Sequence, residues 1–488
     1  MSPQFVILLV LNVNKTNAIS MYSLCTNITT GQHTQQSLFE LFPVASLAPV
    51  QGKKVTLDFQ GGNTTSDAGV LLLRETESRT GIISTLVRCI SDPRRSSSVM
   101  HSIHELLAQR VYQIACGYED GNDSNTLRKD PALKMALDRL PDSGDDLASQ
   151  PTFSRLENMI SRSELYRMAI GFLNHFLVSY AEAPPVIVLD FDDTEDVVHG
   201  KQQLALFNGY HQETCYQPLH VYEGLSGKLI TAILRPGRRP TGKEIVSYVQ
   251  RIVHHIRRQW PETIIVYRGD SHYGVPEVFA FLAQQPDCYS VTGLGGNEVL
   301  LRYVKPIINE VKKQNAGYRR YHTFQYQAKS WSAARKVVAK VEMTEKGLNV
   351  RFISTEMQDA KAKALYEEIY SARGNDELYI KEHKTYTKSD RTSCHRFLAN
   401  QFRVFLHSAA YVLLHAFRSN LLQGTALATA TFETIRLKIL KIGAKVIEMK
   451  TRIKVHLPTA YPYQAILNKS LAILEHLRSV PWSSTTVP

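Results

Sequence analysis

Two apolar runs of strand length, Val186–Leu189 and Thr263–Tyr267, each lead into carboxylates. Pro184 and Pro185 bound the first run, and Asp190, Asp192 and Asp193 follow it. The second run reaches Asp270. β-branched runs of this length read as buried strands. Between them, Gly242 to Gln259 has helical periodicity, with Thr241 and Glu244 spaced as a capping box at its start. A short helix over Glu277–Gln284 and a strand around Tyr289–Gly293 come next. Strands alternating with helices predict an α/β sheet with acidic residues gathered at one edge, where ligands of such sheets bind.

The flanking segments differ in period. From Ser66 to about Ala183 the pattern is helical: Ser66 stands as a cap for a helix through VLLLRETESR. Val99–Cys116 and Ser163–Tyr180 repeat apolar residues every three or four positions. No 20- to 50-residue period marks a solenoid. Residues 296–360 alternate apolar and polar positions, as in YRRYHTFQYQAKSW, and predict a β-rich insertion. Within it Tyr318, Tyr321 and Trp331 lie among Arg319, Arg320, Lys329, Arg335 and Lys336. That mixture suits base stacking with phosphate binding, and equally an antiparallel sheet with an aromatic core face. Phe397–Phe417 is an amphipathic helix. Beyond it Arg436, Lys438, Lys441, Lys445, Lys450, Arg452 and Lys454 face only Glu433 and Glu448.

The segment YSARGNDELYIKEHK reads as helix and holds Tyr370, Arg373, Glu377 and Lys384. At about 100° per residue these four fall within an arc of about 60°. One face then carries a phenol, a guanidinium, a carboxylate and an ammonium. Such a face suits an anionic, metal-bound substrate, and it also suits a solvated, salt-bridged helix surface. Two strand-end aspartates with a helix glutamate make a three-carboxylate site of the kind that holds two divalent cations for phosphodiester chemistry. Oxygen ligands favour Mg²⁺, with Mn²⁺ as a substitute.

The Tyr-x2-Arg-x3-Glu-x6-Lys spacing, with Asp192-Asp193-Thr194 upstream, resembles the Y-R-E-K branch of the bacterial insertion-sequence DDE transposases. The likeness runs from Gly52 to Tyr463 and includes VTLDFQGGNTTSDAGVLLLRE, SQPTFSRLEN and DRTSCHRFLANQFR. It implies a ribonuclease H-like catalytic core with a β-rich insertion, preceded by an all-helical N-terminal region. It implies metal-dependent DNA cleavage at an element's terminal inverted repeats, through a possible hairpin intermediate, followed by strand transfer to target DNA. Asp192, Asp270 and Glu377 would be the catalytic, metal-binding triad, with Asp190 the runner-up to Asp192 and Asp193 serving a turn or a solvated edge. Tyr370, Arg373 and Lys384 would contact DNA, and two ions would occupy each site. Arg94, Arg95, Arg155 and Arg162 are further phosphate-contact candidates in the helical region.

The expected organisation is a leader at 1–50, helical end-binding region at 51–183, core at 184–295, insertion at 296–360, second core part with the glutamate helix at 361–425, and basic region at 426–488. Net charge is +12, with a sequence pI near 9.2. This favours a polyanion partner, expected to be double-stranded DNA bound by a dimer or larger assembly. Six scattered cysteines without a CxxC pair point to a reducing, cytoplasmic setting, where DNA binding would place the protein on the bacterial nucleoid. Cys394 beside His395 reads as core rather than as a nucleophile pair. The apolar run Phe5–Leu11 is too short to span a membrane. Two rival readings remain. Asp190–Thr194 also fits the DxDxT nucleophile motif of haloacid-dehalogenase-type phosphatases, and an inactive transposase-derived DNA-binding protein would keep the same residues.

Overall fold

The computed structural model describes residues 47–478, and the chain falls into two units that divide after Gly62. Of the leader expected at 1–50, residues 1–46, with the Phe5–Leu11 run, lie outside the described residues. In the first unit, β1 (Leu47–Val50) and β2 (Lys53–Val55) form an antiparallel hairpin. Everything below concerns the second unit.

Its N-terminal part is helical. After β3 (Thr64–Thr65) come α1 (Val70–Thr80), α2 (Ile82–Val87), α3 (Ile103–Ala115), α4 (Asp123–Leu127), α5 (Pro131–Ala136), α6 (Gln150–Met159) and α7 (Arg162–Val178). Ser102 and Ser161 cap α3 and α7 through capping boxes with Glu105 and Glu164. Ser66 does not cap α1: the N-cap is Gly69, and the Ser66 hydroxyl donates to Asp67. Tertiary contact sets that start, because the Ala68 and Gly69 amides donate to Ile442 and Leu440 carbonyls. A Cβ at Gly69 would meet Leu440 Cα at 2.5 Å.

The central sheet begins with β4 (Val186–Asp193), so the aspartates lie inside the strand rather than after it. The chain continues through β5 (Asp196–Val197), β6 (Leu206–Asn208), β7 (Glu213–Tyr216), β8 (Leu219–Glu223) and β9 (Leu229–Ile233). Then come α8 (Gly242–Gln259), β10 (Ile264–Gly269), α9 (Pro276–Leu282) and β11 (Cys288–Leu294). Thr241 and Glu244 close the predicted capping box on α8. β8 pairs antiparallel with β4 and β9 with β8, while β10 and β11 run parallel on the other side. Three antiparallel strands followed by two parallel ones are the mixed core expected of a ribonuclease H-like domain.

The insertion is β-rich, as expected, with two short helices ahead of its strands. It opens on α10 (Glu298–Tyr303) and α11 (Lys305–Val311). Its strands β12 (Arg319–Tyr326), β13 (Arg335–Thr344) and β14 (Gly347–Thr355) then join β11 and extend the central sheet to eight strands. Backbone edges left open invite pairing, and the insertion caps that edge. Trp331 is buried against Phe279 and Tyr326, so the aromatics there belong in part to a core.

The chain then forms α12 (Gly374–Lys381) within a longer helical run, α13 (Phe397–Leu421), α14 (Phe432–Ile435), the hairpin β15 (Ala444–Glu448) and β16 (Ile453–His456), and α15 (Gln464–Arg478). α13 is the buried axis on which the N-terminal helices pack: Phe402, Phe405, Leu413, Leu414 and Phe417 share a core with Leu73, Leu107, Val111 and Phe153. β15 pairs with β3, which closes the chain's C-terminal part onto the start of the helical region. Several cations of this segment serve the fold. Lys441 pairs with buried Asp67 at 3.0 Å, and Arg436 donates to Ala115 and Tyr386 carbonyls.

Candidate active site

Strand alternation sorts the residues of β4. Ile187, Leu189 and Phe191 pack against α8 and α9. Val188 faces the other way, toward Leu365 and Tyr366. Asp190 and Asp192 lie on that second face by their spacing, beneath the helical run that carries α12.

Asp190 is spent on structure. It is fully buried and paired in register with Arg268 of β10, with two contacts of 2.5 Å. Arg268 also donates to the Ile369 carbonyl, which ties the helical run to the sheet. Both oxygens of Asp190, the runner-up metal ligand and the first residue of the DxDxT reading, are thus held by Arg268 inside the sheet. Asp193 points to the opposite face, where it binds Arg235 at 2.6 Å and the Tyr273 hydroxyl at 3.0 Å. It serves neither a turn nor a solvated edge. Arg268 and Arg235 were missed in the sequence; an arginine inside the apolar strand IIVYRG was the available signal.

Asp192 stands two residues further along the same face as Asp190. Asp270 lies just past the end of β10, two residues beyond Arg268. Parallel strands lie about 4.8 Å apart, so extending the Arg268–Asp190 register brings Asp270 beside Asp192. The Asp270 side chain accepts the His272 amide at 2.8 Å, a turn that fixes its carboxylate. Burial pushes the Asp192 carboxyl up to about 7, and the charges of Asp270 and Asp193 add to the effect against the opposing pull of Arg373.

The four residues of the helical signature do not lie on one regular helix. The run passes through an α turn (Ala362–Ala364), a π turn (Leu365–Tyr370), a 3₁₀ turn (Ser371–Arg373), α12, and a second π turn (Glu382–Tyr386). Changes of pitch of this kind re-aim side chains. Arg373 donates to Asp192 at 2.8 Å and lies 3.5 Å from Glu377, whose side chain is 69% exposed. Tyr370 packs over β11: a Cβ at Gly293 would meet its hydroxyl at 2.8 Å and the Ser271 amide at 2.9 Å, beside Asp270. Lys384 lies apart from that group. Its ammonium binds the Glu195 carbonyl and lies 3.3 Å from the Thr194 hydroxyl and from the Glu195 carboxylate.

Asp376, next to Glu377, also escaped sequence reading. Its carboxyl is fully buried, has no hydrogen-bond partner, and is raised well above its ordinary range by burial and then by Asp190 and Asp192. Cys394 bonds Glu157 rather than His395, and its thiol is pushed up to about 11 by burial. Among the described residues no three His, Cys, Asp or Glu side chains are gathered closely enough to hold a metal ion, since Arg373 stands between Asp192 and Glu377. Among them, too, no helix is long and apolar enough to cross a membrane.

No curated protein matches the chain in sequence. A solved structure described as a cryo-EM structure of the piggyBac transposase synaptic complex with hairpin DNA aligns over 87% of this chain and 87% of that chain, at 10% identity and a TM-score of 0.44. The family model for transposase DDE domain group 1 matches residues 47–479, which takes in all the described residues, and the protein therefore belongs to the DDE transposases.

Proposed function

We propose that this transposase cleaves the terminal inverted repeats of an insertion sequence and joins the freed 3′ ends to target DNA, with Asp192, Asp270 and Glu377 as its catalytic carboxylates. The observation that carries the reading is the Arg373 bridge. It touches a strand carboxylate at 2.8 Å and a helix carboxylate at 3.5 Å, 185 positions apart by residue number.

The donor set fits a hard divalent cation. Asp192 resists ionisation because it is buried, with the charges of Asp270 and Asp193 adding to the effect, and one guanidinium is its close countercharge. A bound cation would favour the ionised carboxylate and offset that cost. Asp192, Asp270 and Glu377 would hold Mg²⁺ or Mn²⁺, two ions per site, and the metal would supply activation of water or a 3′-hydroxyl and stabilisation of the leaving oxygen. The chain's own residues position the DNA. Arg373 and Lys384 offer cations to backbone phosphates, and Tyr370 offers a half-buried phenol at the Asp270 turn. The β4–β10 ion pair of Asp190 and Arg268 holds both strand ends rigid beneath them.

The partners proposed are double-stranded DNA ends, target DNA and further copies of this chain in a synaptic assembly. A cytoplasmic, nucleoid-bound location goes with that reading. The test is an excision assay. The element with its native flanks sits on a plasmid in cells expressing wild-type protein or Glu377→Gln, and donor junctions are sequenced. Excision with wild type alone is expected; equal excision by the variant removes Glu377 from the site.

A further inference from the structure

The connection between the Asp192 strand and β8 carries an unexplained surface. β6 and β7 pair antiparallel, with Asn208 opposite Glu213, and Gly209–Gln212 form the tip between them. The tip is built rather than loose. The Asn208 carboxamide oxygen accepts the Tyr210 and His211 amides at 2.9 and 3.3 Å, and its nitrogen donates to the Gly237 carbonyl at 3.1 Å. The Asn208 carbonyl accepts the Gln212 amide at 2.8 Å. Held this way, Tyr210 is 86% exposed and Phe207 65% exposed. Single exposed aromatics are ordinary, but two on one hairpin, Phe207 on β6 and Tyr210 at the tip, mark a contact surface.

Cations border the tip. The hairpin backbone packs against Gly237, where a Cβ would meet the Leu206 carbonyl at 2.7 Å. Arg238, Arg239 and Lys243 follow at once and are exposed. The nearby acids are Glu195, Glu213, Glu244 and Glu277, the last beside Gly242, and Glu244 is already engaged by Arg238 at 2.6 Å and by the Thr241 cap. A chain of contacts also links the tip to the site. The Tyr210 ring meets His211 edge-on at 5.0 Å, His211 Nδ1 lies 3.9 Å from Glu195, and Glu195 lies 3.3 Å from Lys384.

We infer that the Phe207–Tyr210 tip packs on an unstacked base of the DNA end, with Arg238, Arg239 and Lys243 on the adjoining phosphates. Aromatic faces among cations bind single-stranded or splayed bases without regard to sequence. Charge complementarity and continuity with Lys384 favour DNA over a protein partner. The inference rests on the DNA-cleaving reading above and deepens it.

The test separates the two. A duplex ending in the element's own terminal sequence, as read from sequenced excision junctions, carries 2-aminopurine in place of each base flanking the cut. It is bound to full-length protein in the Glu377→Gln background, so that the fluorescence readout does not depend on cleavage. A rise in fluorescence at one position is expected, lost in Tyr210→Ala and in Phe207→Ala/Tyr210→Ala and kept in Tyr210→Trp. In the cleaving background Tyr210→Ala should slow cutting about five- to a hundredfold, the worth of one stacked base. Unchanged fluorescence and cutting in the double alanine variant would overturn the inference while leaving the active-site reading intact. Cleavage by Glu377→Gln at the wild-type rate would overturn the site reading while the fluorescence still reports on the tip. Absence of DNA binding by the wild-type protein would overturn both.

Discussion

Arg373 donates to Asp192 at 2.8 Å and stands 3.5 Å from Glu377, so one guanidinium spans the strand carboxylate and the helix carboxylate. The same side chain offers the positive charge that a divalent cation would bring. Its contact with the two carboxylates and its proposed contact with DNA are separable by experiment.

Arg373→Gln is expected to bind Mn²⁺ about tenfold more tightly than wild type in the absence of DNA, because the internal competitor is gone; tenfold is about 1.4 kcal/mol. Isothermal titration with Mn²⁺ measures it. An unchanged or weaker affinity would mean that Arg373 does not compete for the carboxylates.

Asp190 and Asp192 should part company in stability. Asp190→Asn leaves Arg268 buried without its charge partner and should cost about 3–5 kcal/mol in urea denaturation. Asp192→Asn should be neutral or stabilising, since burial already pushes that carboxyl up to about 7 and the amide needs no ionisation. Equal losses would contradict the division of labour on β4.

Glu377→Gln should leave the melting temperature unchanged, because the side chain is largely exposed, while abolishing strand cleavage. A fall in stability that matches the loss of cutting would make the residue structural.

Lys384→Ala should weaken DNA-end binding and lower its salt slope by about one. Binding measured across a salt series decides it, and an unchanged slope would confine Lys384 to its contacts with Thr194 and Glu195.

A buried histidine sets a pH signature. Burial depresses His220 to about 3 in the folded protein, against 6.5 ordinarily. The unfolded chain therefore binds one more proton than the fold between these values, and wild type loses stability there as pH falls. His220→Gln removes that loss. Measured as the difference from wild type, the variant should gain about 2 kcal/mol between pH 6.5 and 5, at about 1.4 kcal/mol per unit. A difference that does not vary with pH would mean that His220 takes up its proton in the fold as readily as in the unfolded chain.

Local pattern alone sufficed for much of this molecule. The apolar runs at 186–189 and 263–267, the α8 capping box and the α13 periodicity are statements about neighbours in sequence, and folding preserves them. The spacing of Tyr370, Arg373, Glu377 and Lys384 likewise stands in the chain before any folding. What the sequence could not decide was the partner of each charge. Asp190, Asp192 and Asp193 are near-equivalent as text, and only the sheet register, with Arg268 beside one, Arg373 above another and Arg235 on the opposite face, tells them apart. The pitch changes along 362–386, the start of α1 at Gly69 and the joining of the insertion to the central sheet depend on contacts between distant segments. Hydrogen-bond satisfaction and charge pairing are settled between elements, so periodicity along one element carries no record of them.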